Sequence, residues 1–286
     1  AGVEARLQTK IADIRPDKRG ITLAIGGGPH TQTFDRVIVA CGGKAYPALG
    51  SRGDLFPILE SLGHHIVPIR PALAPLTADV RRFHKLQGVR LDVGLTLYEG
   101  DRVLGRTIGN MMFTEYGFSG PAAMDLAHLV SARPGTYLTL EINLLPNVKV
   151  ALEELIARKR HEPFPVRVAL GAVLPQKIPP LVMSVAGMRP DARLSELSDA
   201  ERERLMETLT RLKATVTGTR GFQFAQVSTG GVPLAEVDPA TMASRVVPRL
   251  HFAGEVLDVV GPCGGYNLQW AWTSGAIAGA GAAEGA

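Results

Sequence analysis

Apolar positions along the chain follow two grammars, one of alternating short segments and one of helical stripes. The first 40 residues carry β-type segments at Val3 to Leu7, Lys10 to Arg15 and Ile21 to Ile25. Pro16-Asp17 and Gly26-Gly27-Gly28-Pro29 punctuate them, which predicts a β-meander with a hairpin turn at the glycines. Asp35 to Ala40 follows with the β-branched run Val37-Ile38-Val39 and ends in Cys41-Gly42-Gly43. Such an unbroken apolar run predicts a strand buried on both faces of a parallel sheet. Asp54 is read as the cap of a helix with Leu55, Ile58, Leu59 and Leu62 at helical spacing, stopped by Gly63.

From about Thr77 to Gln226 the pattern changes. β-like stretches at Val89 to Tyr98, Val103 to Met112 and Thr136 to Ile142 precede helical patterns at Val148 to Arg160, Pro165 to Leu174 and Asp199 to Arg211. Leu205, Leu209 and Leu212 make an apolar stripe in the last of these. The chain then returns to α/β grammar. A strand at Phe224 to Val227, a turn at Thr229-Gly230-Gly231-Val232 and a strand at Leu250 to Ala253 lead into a last helix from Tyr266 to Ala283. Ala271, Gly275, Ala276, Ala278 and Gly279 strip that helix of bulk, so it can lie very close to a sheet or a cofactor. The division expected is 1–76, 77–226 and 227–286: one α/β domain in two pieces around an inserted α+β domain.

Composition narrows the classes. At 286 residues, 45% apolar and 20% charged, the chain can bury a large core, and disorder is not the default. The net charge is +4, with the basic residues scattered and no aromatic-basic patch visible, so neither nucleic acid nor a membrane surface is expected as partner. The two cysteines, Cys41 and Cys263, form no CxxC pair, which argues against a zinc site or a disulfide scaffold and for a reducing cytoplasm. No metal site is expected. No stretch has the roughly 18 unbroken apolar residues of a membrane helix, and no basic leader precedes an apolar core.

Glycine is 32 of 286 residues, against an ordinary share of about 7%. Three Gly-Gly pairs follow apolar segments: Gly42-Gly43, Gly230-Gly231 and Gly264-Gly265. A strand end without side chains lets a ligand touch backbone amides, which is how phosphates and anionic rings are held. One pair alone is more often a plain turn. His64-His65 ends a helix and reads as a dipole partner, while Tyr46, Tyr116 and His251 are candidate acids more often found as satisfied buried side chains. Trp270 and Trp272, two apart on a helix, point to different faces.

The block Leu250-His251-Phe252-Ala253-Gly254-Glu255-Val256-Leu257-Asp258, followed by Gly264-Gly265-Tyr266-Asn267-Leu268-Gln269-Trp270, resembles the HI0933-like flavoproteins. Ala40 to Pro47, Pro71 to Leu76, Gly117 to Pro121, Thr229 to Val232 with Glu236, and Thr241-Met242 match in the same order. The resemblance spans essentially the whole chain. It implies an FAD/NAD(P)-binding, Rossmann-like domain of the glutathione-reductase type with an inserted α+β domain. It further implies an FAD-dependent oxidoreductase that passes a hydride to an organic small molecule, an enone by analogy, with NAD(P)H as a transient donor. The cofactor residues implied are Cys41, Gly42, Gly43, Gly230, Gly231, Gly254, Glu255, Gly264, Gly265, Tyr266, Asn267 and Leu268. Glu255 would accept from sugar hydroxyls, and the amides opening the last helix would face negative charge on the flavin. Cys41 and Cys263 stand where the family tends to carry Thr, and no thiol chemistry is expected of them.

One departure bears on the cofactor. Proteins of this type open with strand, GxGxxG and helix, and this sequence carries no GxGxxG. The chain is therefore read as part of a longer flavoenzyme. Two other classes compete: a cofactor-free remnant that binds a partner, and an RNA-modifying flavoprotein, for which an aromatic-basic patch would be the sign. The sequence leaves the substrate, the donor, the general acid and the oligomeric state open.

Overall fold

The computed structural model describes residues 2–26 and 30–284; Gly27, Gly28 and Pro29 of the expected hairpin turn lie outside the described residues. The chain divides into two units, one comprising residues up to Pro71 and from Ala225 onward, the other Ala72–Phe224.

The first unit begins with β1 (Ile11–Pro16), β2 (Ile21–Ile25) and β3 (Thr31–Phe34), an antiparallel sheet in that order. Asp17 closes the β1–β2 turn by accepting from the amides of Arg19 at 2.6 Å and Gly20 at 3.0 Å. Val3 to Leu7, expected as a strand, is not one. Val3 and Leu7 are exposed, and Arg6 bridges to Glu4 and Gln32 instead. Two apolar side chains with no face to bury cannot offset the entropy of ordering a strand.

β4 (Val37–Val39) and α1 (Phe56–Ser61) follow, then β5 (Val67–Ala72). Val39 is buried, but Ile38 is 39% exposed, so β4 is covered on one face and not on both as the pattern suggested. Asp54 does not cap α1: its carboxylate pairs with Lys10 Nζ at 2.9 Å, and the helix starts after Leu55 with a proline in its first turn.

The second unit is built on a closed six-stranded barrel. In chain order its elements are β6 (Leu76–Ala78), β7 (Arg90–Glu99), β8 (Arg102–Phe113), β9 (Gly117–Ser119), α2 (Pro121–Met124), α3 (Ala127–Ser131), β10 (Leu138–Asn143), α4 (Lys149–Lys159), α5 (Val166–Gly171), α6 (Ile178–Val185), α7 (Asp199–Thr210) and β11 (Leu212–Thr219). The strands close in the order β10-β11-β6-β9-β8-β7. Strict alternation buries Val93, Leu95 and Leu97 on β7, Leu138, Leu140 and Ile142 on β10, and Leu212, Ala214 and Val216 on β11. Phe83, Phe113 and Phe118 meet with centroids 5.7–5.8 Å apart, each such pair adding about 1 kcal/mol beyond its buried area. α6 is absent from the sequence pattern because Pro179-Pro180 reads as a break. Both prolines sit near the helix start, where the missing N–H groups have no intrahelical acceptor. α7 opens with a capping box between Ser198 and Glu201, and Leu212, expected in its stripe, instead begins β11.

β12 (Val227–Gly231), β13 (Leu250–Phe252) and α8 (Tyr266–Ala283) complete the first unit. Thr229-Gly230-Gly231, expected as a turn, lies inside β12. β12 pairs with β5, and β13 pairs parallel to β4 with Leu250 opposite Val37 and Phe252 opposite Val39. One core cluster joins β1, β2, β4, α1, β13 and α8 through Ile14, Ile21, Val39, Leu59, Phe252 and Ala278.

Candidate functional site

Because β4 and β13 run parallel, their C-terminal ends open on the same edge of the sheet, the place where α/β folds bind ligands. β4 delivers Cys41, Gly42 and Gly43 there, and β13 delivers Gly254 and Glu255. α8 packs against this edge: Ser274 Oγ accepts from the Gly254 amide at 2.9 Å, and the Trp270 indole donates to the Gly254 carbonyl at 3.3 Å. Both polar groups of Gly254 are thereby engaged by the helix.

Glu255 is the chemical centre of the edge. Its Oε1 accepts from the Ser228 amide at 2.8 Å and the Ser228 hydroxyl at 2.6 Å, and that hydroxyl accepts from the Lys44 amide at 3.0 Å. Burial pushes the carboxyl above its ordinary value, opposed by the two Ser228 bonds. Gly43 leaves room for this pair: a Cβ would fall 1.9 Å from Ser228 Oγ and 2.3 Å from Glu255 Oε1, so both side chains would have to leave their hydrogen-bonded positions. Ser228 was not singled out by sequence reasoning, and a lone serine inside an apolar strand was the only sign of it.

Gly230 and Gly231 serve chain crossings. A Cβ on Gly230 would lie 2.4 Å from the Pro68 carbonyl oxygen, and one on Gly231 would lie 2.3 Å from that of Val256. The Gly230 amide is bound by Asp258 Oδ1 at 2.8 Å. Asn267 likewise faces inward, its side-chain amide accepting from and donating to the Gly261 backbone at 2.8 and 2.9 Å. That double bond fastens the loop before α8 to its first turn.

The open part of the expected set is smaller. Cys41 is exposed, Gly264 and Gly265 have φ of +128° and +90°, a Cβ on Gly265 would meet nothing, and Tyr266 and Leu268 are 62% and 60% exposed. Gly264, Gly265, Tyr266 and Leu268 put bare backbone and apolar side chain at the positive end of an 18-residue helix. Such an end suits a flat ring that bears negative charge. Although Cys41 reaches the surface, crowding round its sulfur lifts the thiol to about 11, so it stays protonated at neutral pH.

The other candidates fall elsewhere. His64 is not a helix-dipole partner: it is buried, its Nδ1 lies 2.6 Å from Glu236 Oε2, its Nε2 lies 2.9 Å from Ser244 Oγ, and its ring meets Phe252 edge-on at 5.0 Å. The His65 amide donates to the same carboxylate. His251 is buried with Nδ1 3.0 Å from the Thr241 carbonyl. Tyr46 is exposed, and Tyr116 belongs to the second unit, where it stacks on Arg220. Among the described residues no group of three metal-ligating side chains converges, and no helix is long and apolar enough to cross a membrane.

The chain matches the model of the HI0933-like protein Rossmann domain over residues 1–281. It is 36% identical over 255 residues to a 3-dehydro-bile acid delta(4,6)-reductase of Clostridium scindens, covering 87% of this chain and 62% of that protein. It is 33% identical over 275 residues to a ribosomal RNA dihydrouridine synthase of Escherichia coli, covering 95% and 66%, and 34% identical over 242 residues to one of Haemophilus influenzae, covering 83% and 58%. The chain thus spans about three-fifths of the length of the curated relatives it matches.

Proposed function

Because the chain belongs to the HI0933-like family, we propose that it forms the larger part of an FAD-dependent oxidoreductase that reduces a carbon–carbon double bond conjugated to a carbonyl. The observation that carries this reading is the parallel β4–β13 edge, with α8 packed on Gly254 through Trp270 and Ser274 and opening in the bare Gly264-Gly265 backbone. The names of the relatives, a delta(4,6)-reductase and a dihydrouridine synthase, support one reaction class with two kinds of acceptor.

A flavin bound there supplies the hydride-carrying ring. The residues of this chain do the rest. Gly264 and Gly265 carry no side chain, so the α8 amides would be open to the polar edge of a bound ring and would favour negative charge there. Tyr266 and Leu268 cover apolar surface and exclude water. Glu255, fixed by Ser228 through Oε1, would have its other oxygen left to accept from a sugar hydroxyl. The inserted α+β domain would offer the acceptor its binding surface, and NAD(P)H would visit as donor.

The test is a fluorescence titration with FAD, made on this chain and on a version extended to the length of the relatives. Leu268→Asp changes an exposed position, so the fold survives, while a carboxylate now faces the ring edge. FAD affinity falls at least about tenfold if α8 opens onto the flavin, the size of one misplaced charge in a partly desolvated site. Unchanged affinity puts the cofactor elsewhere.

A further inference from the structure

The second unit gathers positive charge that the flavin edge does not use. Two clefts share Arg82 as a common wall. The first, of about 630 Å³, is lined by Asp79, Arg81, Arg82, Lys213, Thr139 and Thr215. The second, of about 500 Å³, includes His84, Lys85, Lys177 and Ser184, with no carboxylate in its lining. Asp79 is fully engaged: its two oxygens take the Arg81 guanidinium and amide, which hold the carboxyl at about 2. Arg82, Lys85, Lys177 and Lys213 have no ion-pair partner among the described residues. All four are exposed. Like charges at this density repel and lack counter-charge in the protein.

The frame beneath them is rigid. Lys213 and Thr215 stand on barrel strand β11, Thr139 on β10 and Lys177 at the start of α6, while buried Phe83 and Leu86 pin the Arg81–Lys85 segment. Hydroxyls of Thr139, Thr215 and Ser184 lie among the cations, the mixture of donors that contacts phosphate oxygens. Of the two rings of the patch, Phe83 is 2% exposed and only the small imidazole of His84, held 2.9 Å from the Arg81 carbonyl, reaches the surface. One imidazole among four cations stacks few unpaired bases, so the surface suits the backbone of a folded RNA better than a splayed single strand. Two of the relatives are named for ribosomal RNA.

We propose that Arg82, Lys85, Lys177 and Lys213 form a docking surface for the phosphate backbone of structured RNA. The surface does not depend on the flavin reading and is tested without FAD. A fluorescent RNA duplex of about 20 base pairs is titrated with the 286-residue chain across a range of salt. About four phosphate contacts give a steep salt dependence, roughly a hundredfold loss of affinity between about 50 and 200 mM salt. The quadruple variant R82Q/K85Q/K177Q/K213Q flattens the slope by about one unit per residue. The control R102Q/R106Q/R158Q/R204Q removes the same charge from residues that line neither cleft and keeps the slope, and circular dichroism checks that both variants are folded. Equal loss in the two variants, or no loss in the first, overturns the proposal. So does binding to poly-glutamate or to anionic phospholipid vesicles as tight as to the duplex, since the patch then serves an acidic protein or a membrane.

Discussion

Glu255 stands where buried charge and hydrogen bonding oppose each other. Its carboxyl lies above the ordinary value in the folded chain because burial outweighs the Ser228 bonds. The folded state therefore binds more protons than the unfolded one once pH passes the unfolded value, and stability falls as pH rises through that window. Above the raised value the loss is complete and the curve flattens. Glu255→Gln keeps an oxygen for Ser228 and removes the charge, so its melting temperature relative to the parent rises between acid and neutral pH; a series of thermal melts reads this directly. His64→Ala deletes a buried ring bonded to Glu236 and Ser244 and packed on Phe252. It costs about 2–4 kcal/mol, measured as a lower denaturation midpoint without change in slope. Glu255 drew notice through the family resemblance of the Ala253-Gly254-Glu255 turn. Ser228 and the Glu236 partner of His64 were not, because they lie 27 and 172 residues away along the chain and only the fold unites them.

α8 agrees with the pattern in span, Tyr266 to Ala283 in both, but its small residues are not all used for close approach: a Cβ on Gly275 or Gly279 would meet nothing, and only Ala278 of the expected set is fully buried. Its two tryptophans divide as their spacing requires. Trp270 is partly buried and bonds Gly254, whereas Trp272 is 66% exposed. Trp270→Ala is expected to cost about 2–3 kcal/mol, the range for losing a large packed ring and its hydrogen bond, and Trp272→Ala less than about 0.5 kcal/mol. Chemical denaturation of the two variants side by side separates them; equal losses would show that both faces of α8 carry load. The Gly230-Gly231 strand and the proline-led α6 were hidden by residues whose usual meaning is a break. Their backbones are used differently here, one for close crossing and one at a helix start.

For the chain as a whole, the sequence-wide resemblance leads to the family whose model residues 1–281 match. The alternation of β7, β10 and β11 was readable, but their closure into a barrel was not, because closure is set by pairings such as Thr219 with Leu76 that local pattern does not encode. Charge behaved likewise. A net +4 over 286 residues looks scattered, and folding gathers Arg82, Lys85, Lys177 and Lys213 along two clefts. The central claim is that the β4, β13 and α8 edge is a flavin site. The visible absorption spectrum after adding FAD and desalting tests it most directly, for this chain and for a version at the length of its relatives. Retained flavin bands in the longer form at least, bleached by a reductant and restored by a conjugated enone, are the result expected. A colourless protein at both lengths would contradict the account.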